Sequence, residues 1–142
     1  MNVSFVLFAD AANISQEGKL NILGIFDAVH ISQFPGLHPR ATLVLGVKST
    51  LSDRGVHGMV LSWVNPRGTE LWSTEAKIEV GASPPGTTDV SMPVILQIDL
   101  PLDMLGDFRM NVTLDGQQQT GAVLHVRGGS PMIPPASGQM VS

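Results

Sequence analysis

The side chains in this sequence best suited to acid–base or metal chemistry are its four histidines. His30, His38, His57 and His125 lie on four separate segments. No two of them have the short spacing of a metal-binding motif, and the chain contains no cysteine, which excludes thiolate-based zinc sites. A G-x-S-x-G nucleophile motif is also absent. The sequence therefore predicts no catalytic residue, no metal and no cofactor, and we expect a protein that is not an enzyme.

Three aspartates form the second group that could bind a ligand. Asp99, Asp103 and Asp107 recur every four residues, and their carboxylate oxygens are of the kind that calcium prefers. The D-x-D-x-D-G pattern of a calcium-binding loop is absent, however, and carboxylates in loops are ordinarily solvated. We interpret the three aspartates as surface residues.

Two tryptophans, Trp63 and Trp72, stand on either side of a predicted hairpin turn at Asn65–Gly68. Exposed indole rings would form platforms on which a carbohydrate ligand stacks. The alternation of residue types instead places each ring on the same side of its strand as aliphatic residues, which favours the core. Both interpretations stay open, because a shift of register by one residue would expose one of the rings.

The elements that must position these residues are predicted to be strands. Apolar and polar residues alternate through most of the chain, and no segment sustains the period of an α-helix. About eight such segments separated by turn residues predict an all-β fold, a single antiparallel β-sandwich, with a barrel as the alternative. The sandwich is expected over residues 1–127, followed by a Gly/Pro/Ser-rich, extended C-terminal arm over residues 128–142.

Several segments are predicted to interrupt the strands. Turn-forming residues fill Asp10–Lys19, and the prolines of Gln33–Arg40 predict irregular structure there. Pro93 predicts that its strand lies at a sheet edge or starts irregularly, because proline cannot donate a hydrogen bond to a neighbouring strand. Pro101–Gly106 is the one segment for which a short helical turn is expected.

The first residues decide the expected compartment. Ser4–Ala12 could be considered a secretory signal, but a signal needs a basic segment before it and a longer apolar run. The residues from Val3 to Phe8 alternate with a period of two, so we interpret them as the first strand and expect a cytoplasmic protein. No apolar run approaches the roughly 20 residues that a transmembrane helix needs.

Three stretches between Phe5 and Arg40 read FADAAN, EGKLNILGIFD and QFPGLHPR. They resemble the opening of a family of small bacterial proteins of unknown function. Members of that family start directly on such a strand, and the resemblance implies a β-sandwich. It implies no activity and no functional residue, and the C-terminal arm lies outside it.

Charge limits the partners that we expect. Eight basic and twelve acidic residues give a net charge of −4, and the basic residues are scattered singly along the chain. Nucleic acid and anionic membranes are therefore not expected partners. We expect a non-catalytic interaction or assembly subunit, such as a scaffold, filament or virion-type component. The alternative is a ligand-binding module for carbohydrate or peptide.

The C-terminal arm is the segment expected to make the assembly contact. Its prolines restrict the backbone, which lowers the entropic cost of binding it in an extended form. Its apolar anchors come in two pairs, and these are Met132, Ile133, Met140 and Val141. Burying them on a neighbouring copy would hold a homo-oligomer together. The alternative is a solvated tail without a partner.

Overall fold

A computed structural model describes residues 1–82 and 85–129, which form ten β-strands. In chain order they are β1 (Asn2–Ile14), β2 (Leu20–Phe26), β3 (Ala28–Ile31), β4 (Gly36–Thr50), β5 (Gly55–Val64), β6 (Glu70–Val80), β7 (Asp89–Leu102), β8 (Gly106–Leu114), β9 (Gln117–Gln118) and β10 (Ala122–Gly128). The helical element of the described chain is a single 3-10 turn, Leu51–Asp53. Within these residues, no helix is long and apolar enough to cross a membrane.

The strands form two sheets. One has four strands in the order β2-β1-β4-β7, and the other has the order β3-β10-β8-β5-β6, with the short β9 paired to β8. Every described pair is antiparallel except β3 with β10, which is parallel. Neither sheet closes into a barrel within the described residues. The prediction of an all-β, sandwich-like fold is confirmed, and one parallel pair is added to it.

The core lies between the two sheets and uses the alternate residues that a period of two turns inward. β4 and β8 show this most clearly, since every second residue in their central parts is buried, as at Leu43, Leu45, Phe108, Met110 and Val112. Three aromatic rings fill the centre. Trp63 stacks on Phe108 with ring centroids 5.3 Å apart, and it meets the ring of Phe8 edge-on at 6.0 Å.

Two segments that were expected to be irregular are strands over part of their length, whereas Ser15–Lys19 and Gln33–Pro35 lie outside the strands as predicted. β1 runs to Ile14, because its last residues pair with β2 as far as Ile14 opposite Leu20, so the turn is confined to the residues between the two strands. β4 begins at Gly36 and pairs with the end of β7, and its one proline, Pro39, lies in a break in register between His38 and Ala41. Cross-strand pairing outweighs the turn propensity of these residues.

The strand that contains Pro93 does lie at a sheet edge, since β7 is the outer strand of the four-stranded sheet. The helical turn expected at Pro101–Gly106 is wrong. β7 continues through Leu102, because Leu100 and Leu102 are buried in the core, and the chain then bends directly into β8.

The β1–β2 hairpin leaves the sheet beyond Ala9. β1 is paired with β4 only as far as Ala9 opposite Thr42. At that point the Thr42 hydroxyl donates a hydrogen bond to the carbonyl of Asp10, at 3.3 Å. Gly24, across from Asp10 on β2, has a φ of +70°, a conformation that glycine adopts without strain. The hairpin therefore bends at this level.

The bent hairpin covers part of the outer face of the four-stranded sheet. Gly18 and Leu20, at its tip, line one cavity together with Phe5 and Gly46, which lie near the opposite end of the β1–β4 pair. The hairpin must fold back along the sheet to bring these residues together. Val44, which is opposite Leu7 in that pair, has no exposed surface.

Candidate functional site

The four histidines are distributed over three places in the fold. His30 and His38 line the same cavity at one end of the sandwich, which has a volume of about 550 Å³ and also includes Gly129. His57 and His125 each pair with an aspartate elsewhere. Within residues 1–82 and 85–129, no three metal-binding side chains form a group that could hold an ion.

His57 connects three parts of the chain. Its Nδ1 lies 2.5 Å from Oδ2 of Asp115, which follows β8, and its Nε2 lies 2.5 Å from the backbone oxygen of Asp53 in the 3-10 turn. Asp115 also accepts a hydrogen bond from the backbone N–H of Gly58 at 3.1 Å. Both ring nitrogens face oxygen acceptors, so only the doubly protonated ring satisfies both. The ring ties together β5, the residue after β8 and the 3-10 turn, an arrangement that we call the histidine clasp.

The contacts around His57 shift the pKa values of three groups, and each shift favours the charged form of the group. The pKa of His57 is raised, first by its hydrogen bond with Asp115 and then by the backbone oxygen of Asp53. The pKa of Asp115 is lowered by the same hydrogen bond. The pKa of Asp53 is lowered by the N–H of Thr50 and then by the amino group of Met1, which lies 3.0 Å from its Oδ2.

His125 and Asp107 form the second histidine–aspartate pair. They are directly opposite each other on β10 and β8, and Nδ1 of His125 lies 2.7 Å from Oδ1 of Asp107. Both side chains are more than one-third exposed to solvent. A pair this exposed is screened by water and contributes little to stability.

The three aspartates at spacing four have three different partners. Asp99 accepts a hydrogen bond from the backbone N–H of Arg40 at 2.9 Å, and Asp103 accepts one from the side chain of Asn65 at 3.0 Å. Asp107 is the partner of His125. The structure does not bring their carboxylates into one calcium-binding group in its described part.

The two tryptophans differ in burial. Trp63 has no exposed surface, and its Nε1 donates a hydrogen bond to the carbonyl of Pro101 at 2.9 Å, so the platform interpretation is wrong for this residue. Trp72 is directly opposite Trp63, is half-buried against the core, and donates to the carbonyl of Asp99 at 3.0 Å. The hairpin register thus places both indoles on the inner side, as the alternation of residue types favours.

The predicted oligomer contacts fall on residues that the structure does not describe. Met132, Ile133, Met140 and Val141 all lie beyond Gly129, outside the described ranges. The role of the arm therefore stays a prediction.

The free edge of β2 is a surface feature that contains none of the candidate reactive residues. This strand reads LNILGIF and ends the four-stranded sheet, with β1 on one side only. It carries no charged residue and no proline. Leu23 and Ile25 project from it and are 71% and 61% exposed. Unpaired backbone groups and exposed apolar side chains together make this edge able to pair with another strand.

The other three outer strands carry features that oppose such pairing. β7 contains Pro93 and Pro101, and β6 contains three glutamates and a lysine. β3 is only four residues long. Prolines, charges and short length are the usual means by which a sheet edge avoids pairing with another molecule. The free edge of β2 lacks all three.

A family model described as a family of unknown function (DUF6941) matches residues 4–127. The chain belongs to that family. The match to DUF6941 agrees with the resemblance to a family of unknown function, and it ends just before the C-terminal arm. No curated protein matches the chain significantly.

In this member of DUF6941, the free edge of β2 and the histidine clasp are recognised only once the order of strands in the sheets is known. The uncharged run Leu20–Phe26 was visible in the sequence, but only its position at the end of a sheet makes it an available edge. His57 and Asp115 are far apart in sequence and meet because β5 pairs with β8.

Proposed function

We propose that the protein is a non-catalytic assembly subunit that associates with a second copy of itself through the free edge of β2. The observation that carries the proposal is the contrast among the four sheet edges, of which β2 alone has neither charge, nor proline, nor a very short length. An antiparallel β2–β2 contact would join two four-stranded sheets into one continuous sheet.

The energetics of that contact favour association. The unpaired N–H and C=O groups of one β2 would bond to those of the other, and each exposed leucine or isoleucine that becomes fully buried contributes roughly 1.5–3 kcal/mol before ordering costs are subtracted. A two-fold axis near the middle of the strand would place Leu23 against Leu23 of the second copy.

Charge supports a second copy as the partner. The chain carries a net charge of −4, so two copies repel each other, and a contact region without charges adds no close contact between like charges. β2 is neutral along its whole length. The edge at β6, in contrast, would bring several glutamates of two copies together. Pairing along an uncharged edge therefore adds the least electrostatic repulsion between two copies of this acidic protein.

The test is the mass of the full chain in solution, measured by sedimentation velocity and light scattering over a wide range of concentration. We expect the wild-type protein to reach twice its monomer mass of 15.1 kDa. A variant with both Leu23→Lys and Ile25→Lys should stay monomeric, because lysine on an edge strand opposes pairing.

Val56→Lys is the matched control. Val56 is 64% exposed, similar to the two edge residues, but it lies in the other sheet, on β5, where it is opposite Glu79 of β6. This variant should associate as the wild type does. Equal masses for the edge variant and the control, or a wild-type chain that is monomeric at every concentration, would refute the proposal.

The alternative function, a ligand-binding module, has its best support at the same edge. An extended peptide could add to β2 as a further strand, which is a common mode of peptide recognition. A monomeric wild type that binds extended peptides through β2 would favour this alternative over self-association. For either role we propose a cytoplasmic or virion-like location, supported by the lack of cysteine, which fits a reducing compartment.

A further inference from the structure

A second cavity lies between the tip of the β1–β2 hairpin and the outer face of the four-stranded sheet. Its volume is about 300 Å³, at the small end of the range for ligand-binding pockets. The hairpin contributes Leu20 and Gly18, and the sheet contributes Phe5, Met92 and Pro93 from its outer strands and its centre.

The lining of this cavity is mostly apolar, with two serines, Ser4 and Ser91, and a single charge. Among the lining residues in the described part of the chain, Lys48 is the only charged one, and none carries a carboxylate. Within the described residues Lys48 forms no ion pair, and its side chain is exposed. The cavity therefore combines apolar walls with one unneutralised ammonium group. This combination suits a ligand with an apolar body and one anionic end.

The floor of the cavity has little freedom to change shape. Phe5 is opposite Gly46 in the β1–β4 pair, and a side chain at Gly46 would overlap the Phe5 ring. The ring therefore lies directly over the backbone of β4. The hydroxyl of Ser4 donates a hydrogen bond to the Gly46 carbonyl at 3.1 Å and holds the same segment. A floor that is already ordered lowers the entropic cost of binding.

We propose that this cavity binds a free medium-chain alkyl carboxylate, with its chain against Phe5 and Leu20 and its carboxylate at Lys48. A water-soluble acid is the occupant we commit to, because the volume holds a short alkyl chain rather than the two long chains of a membrane lipid. This site shares Leu20 with β2 but includes neither Leu23 nor Ile25, and it requires no self-association.

The experiment is a calorimetric titration of the full chain with hexanoate, octanoate and 1-octanol, each below its aggregation concentration. Octanoate should bind more tightly than hexanoate by about fourfold per added methylene. Octanoate should also bind more tightly than 1-octanol, which has the same chain without the charge. Chemical shift changes in the same titration should include the methyl groups of Leu20 and Met92.

Lys48→Gln is the decisive variant, and Lys77→Gln is its matched control. Loss of the charge should weaken octanoate binding about tenfold and leave 1-octanol binding unchanged, since a charge-assisted hydrogen bond is replaced by a neutral one. Lys77 is also exposed and lines a different cavity with Glu75, so its substitution should change neither affinity.

Four results would overturn the proposal. They are no saturable octanoate binding, equal binding of octanoate and 1-octanol, no effect of Lys48→Gln, and shift changes confined to residues away from the hairpin tip. Sedimentation with anionic phospholipid vesicles serves as a further arm. Retention on those vesicles through Lys48 would assign the site to membrane lipid and would also contradict the free acid.

Discussion

The different burial of the two tryptophans leads to a quantitative prediction about stability. Both indoles donate a hydrogen bond to a backbone carbonyl of β7, Trp63 to Pro101 and Trp72 to Asp99. Trp63 is fully buried, whereas Trp72 is half-buried. Replacing each with phenylalanine removes the same donor from two environments that differ mainly in access to water.

The expected cost of Trp63→Phe has two parts. The carbonyl of Pro101, which is part-buried, loses the donor that the fully buried indole supplied, which costs about 1–3 kcal/mol. The smaller ring also leaves a void beside Phe8 and Phe108, which costs roughly 1–2 kcal/mol. The sum is a loss of about 2–5 kcal/mol in the free energy of unfolding. Trp72→Phe should cost less than about 1 kcal/mol, because water replaces the lost donor.

Urea unfolding followed by far-ultraviolet circular dichroism measures both losses without relying on tryptophan fluorescence. Thermal unfolding should agree, with the Tm of Trp63→Phe lower by about 4 °C for each kcal/mol lost. The slope of unfolding free energy against urea should be unchanged in both variants. Equal losses for the two variants would refute the reasoning, because burial would then not determine the cost.

Three further predictions follow from other parts of the structure. Because the pKa of His57 is raised in the folded state, the clasp stabilises the fold fully below the ordinary histidine pKa of 6.5, and this stabilisation is lost as pH rises through the higher folded pKa. Because the pKa of Asp115 is lowered, its contribution to stability is present above the ordinary aspartate pKa of 3.8 and is lost as the solution becomes acidic. His57→Asn should therefore remove the alkaline decline in urea midpoints measured across pH, and an unchanged profile would contradict the clasp. Gly121→Ala should lower the free energy of unfolding by about 1–3 kcal/mol, measured by thermal unfolding, because the added methyl would overlap a backbone carbonyl of β8. Gly58→Ala is the control and should change stability very little, since its added methyl would meet nothing within 4 Å. Equal losses of stability in the two variants would argue against the steric explanation. A chain truncated after Gly129 should keep the Tm of the full chain, and its mass by light scattering should fall only if the C-terminal arm contributes to assembly.

Much of the fold could be predicted because the period of two is strong. The alternation in β4 and β8 reflects directly which residues face the core, and no helical period competed with it. The edge position of Pro93 followed from the chemistry of proline alone. The errors lay at Asp10–Ile14 and Gly36–Arg40, where turn-forming residues are held in strands by cross-strand pairing, and at Pro101–Gly106, where β7 continues in place of a helical turn.

The sites could be predicted less well because they depend on the order of strands. The sequence placed His57 on a strand, but its partner Asp115 follows a strand that is its neighbour only in the folded sheet. The cavity above Phe5 depends on the bend of the β1–β2 hairpin, which brings Leu20 back over the sheet. Period and turn propensity describe neighbours along the chain and contain no information on such contacts.

The parallel pair of β3 with β10 has a consequence for how the chain folds during synthesis. β10 lies between β3 and β8, so β3 has no neighbour in its sheet until β10 has been made. Synthesis proceeds from the N-terminus, and β10 is the last of the described strands. The six-stranded sheet is therefore completed only late, when nearly the whole sandwich has been synthesised. Contacts between such distant segments form slowly, so the apolar residues of β3 are exposed to other chains during this interval.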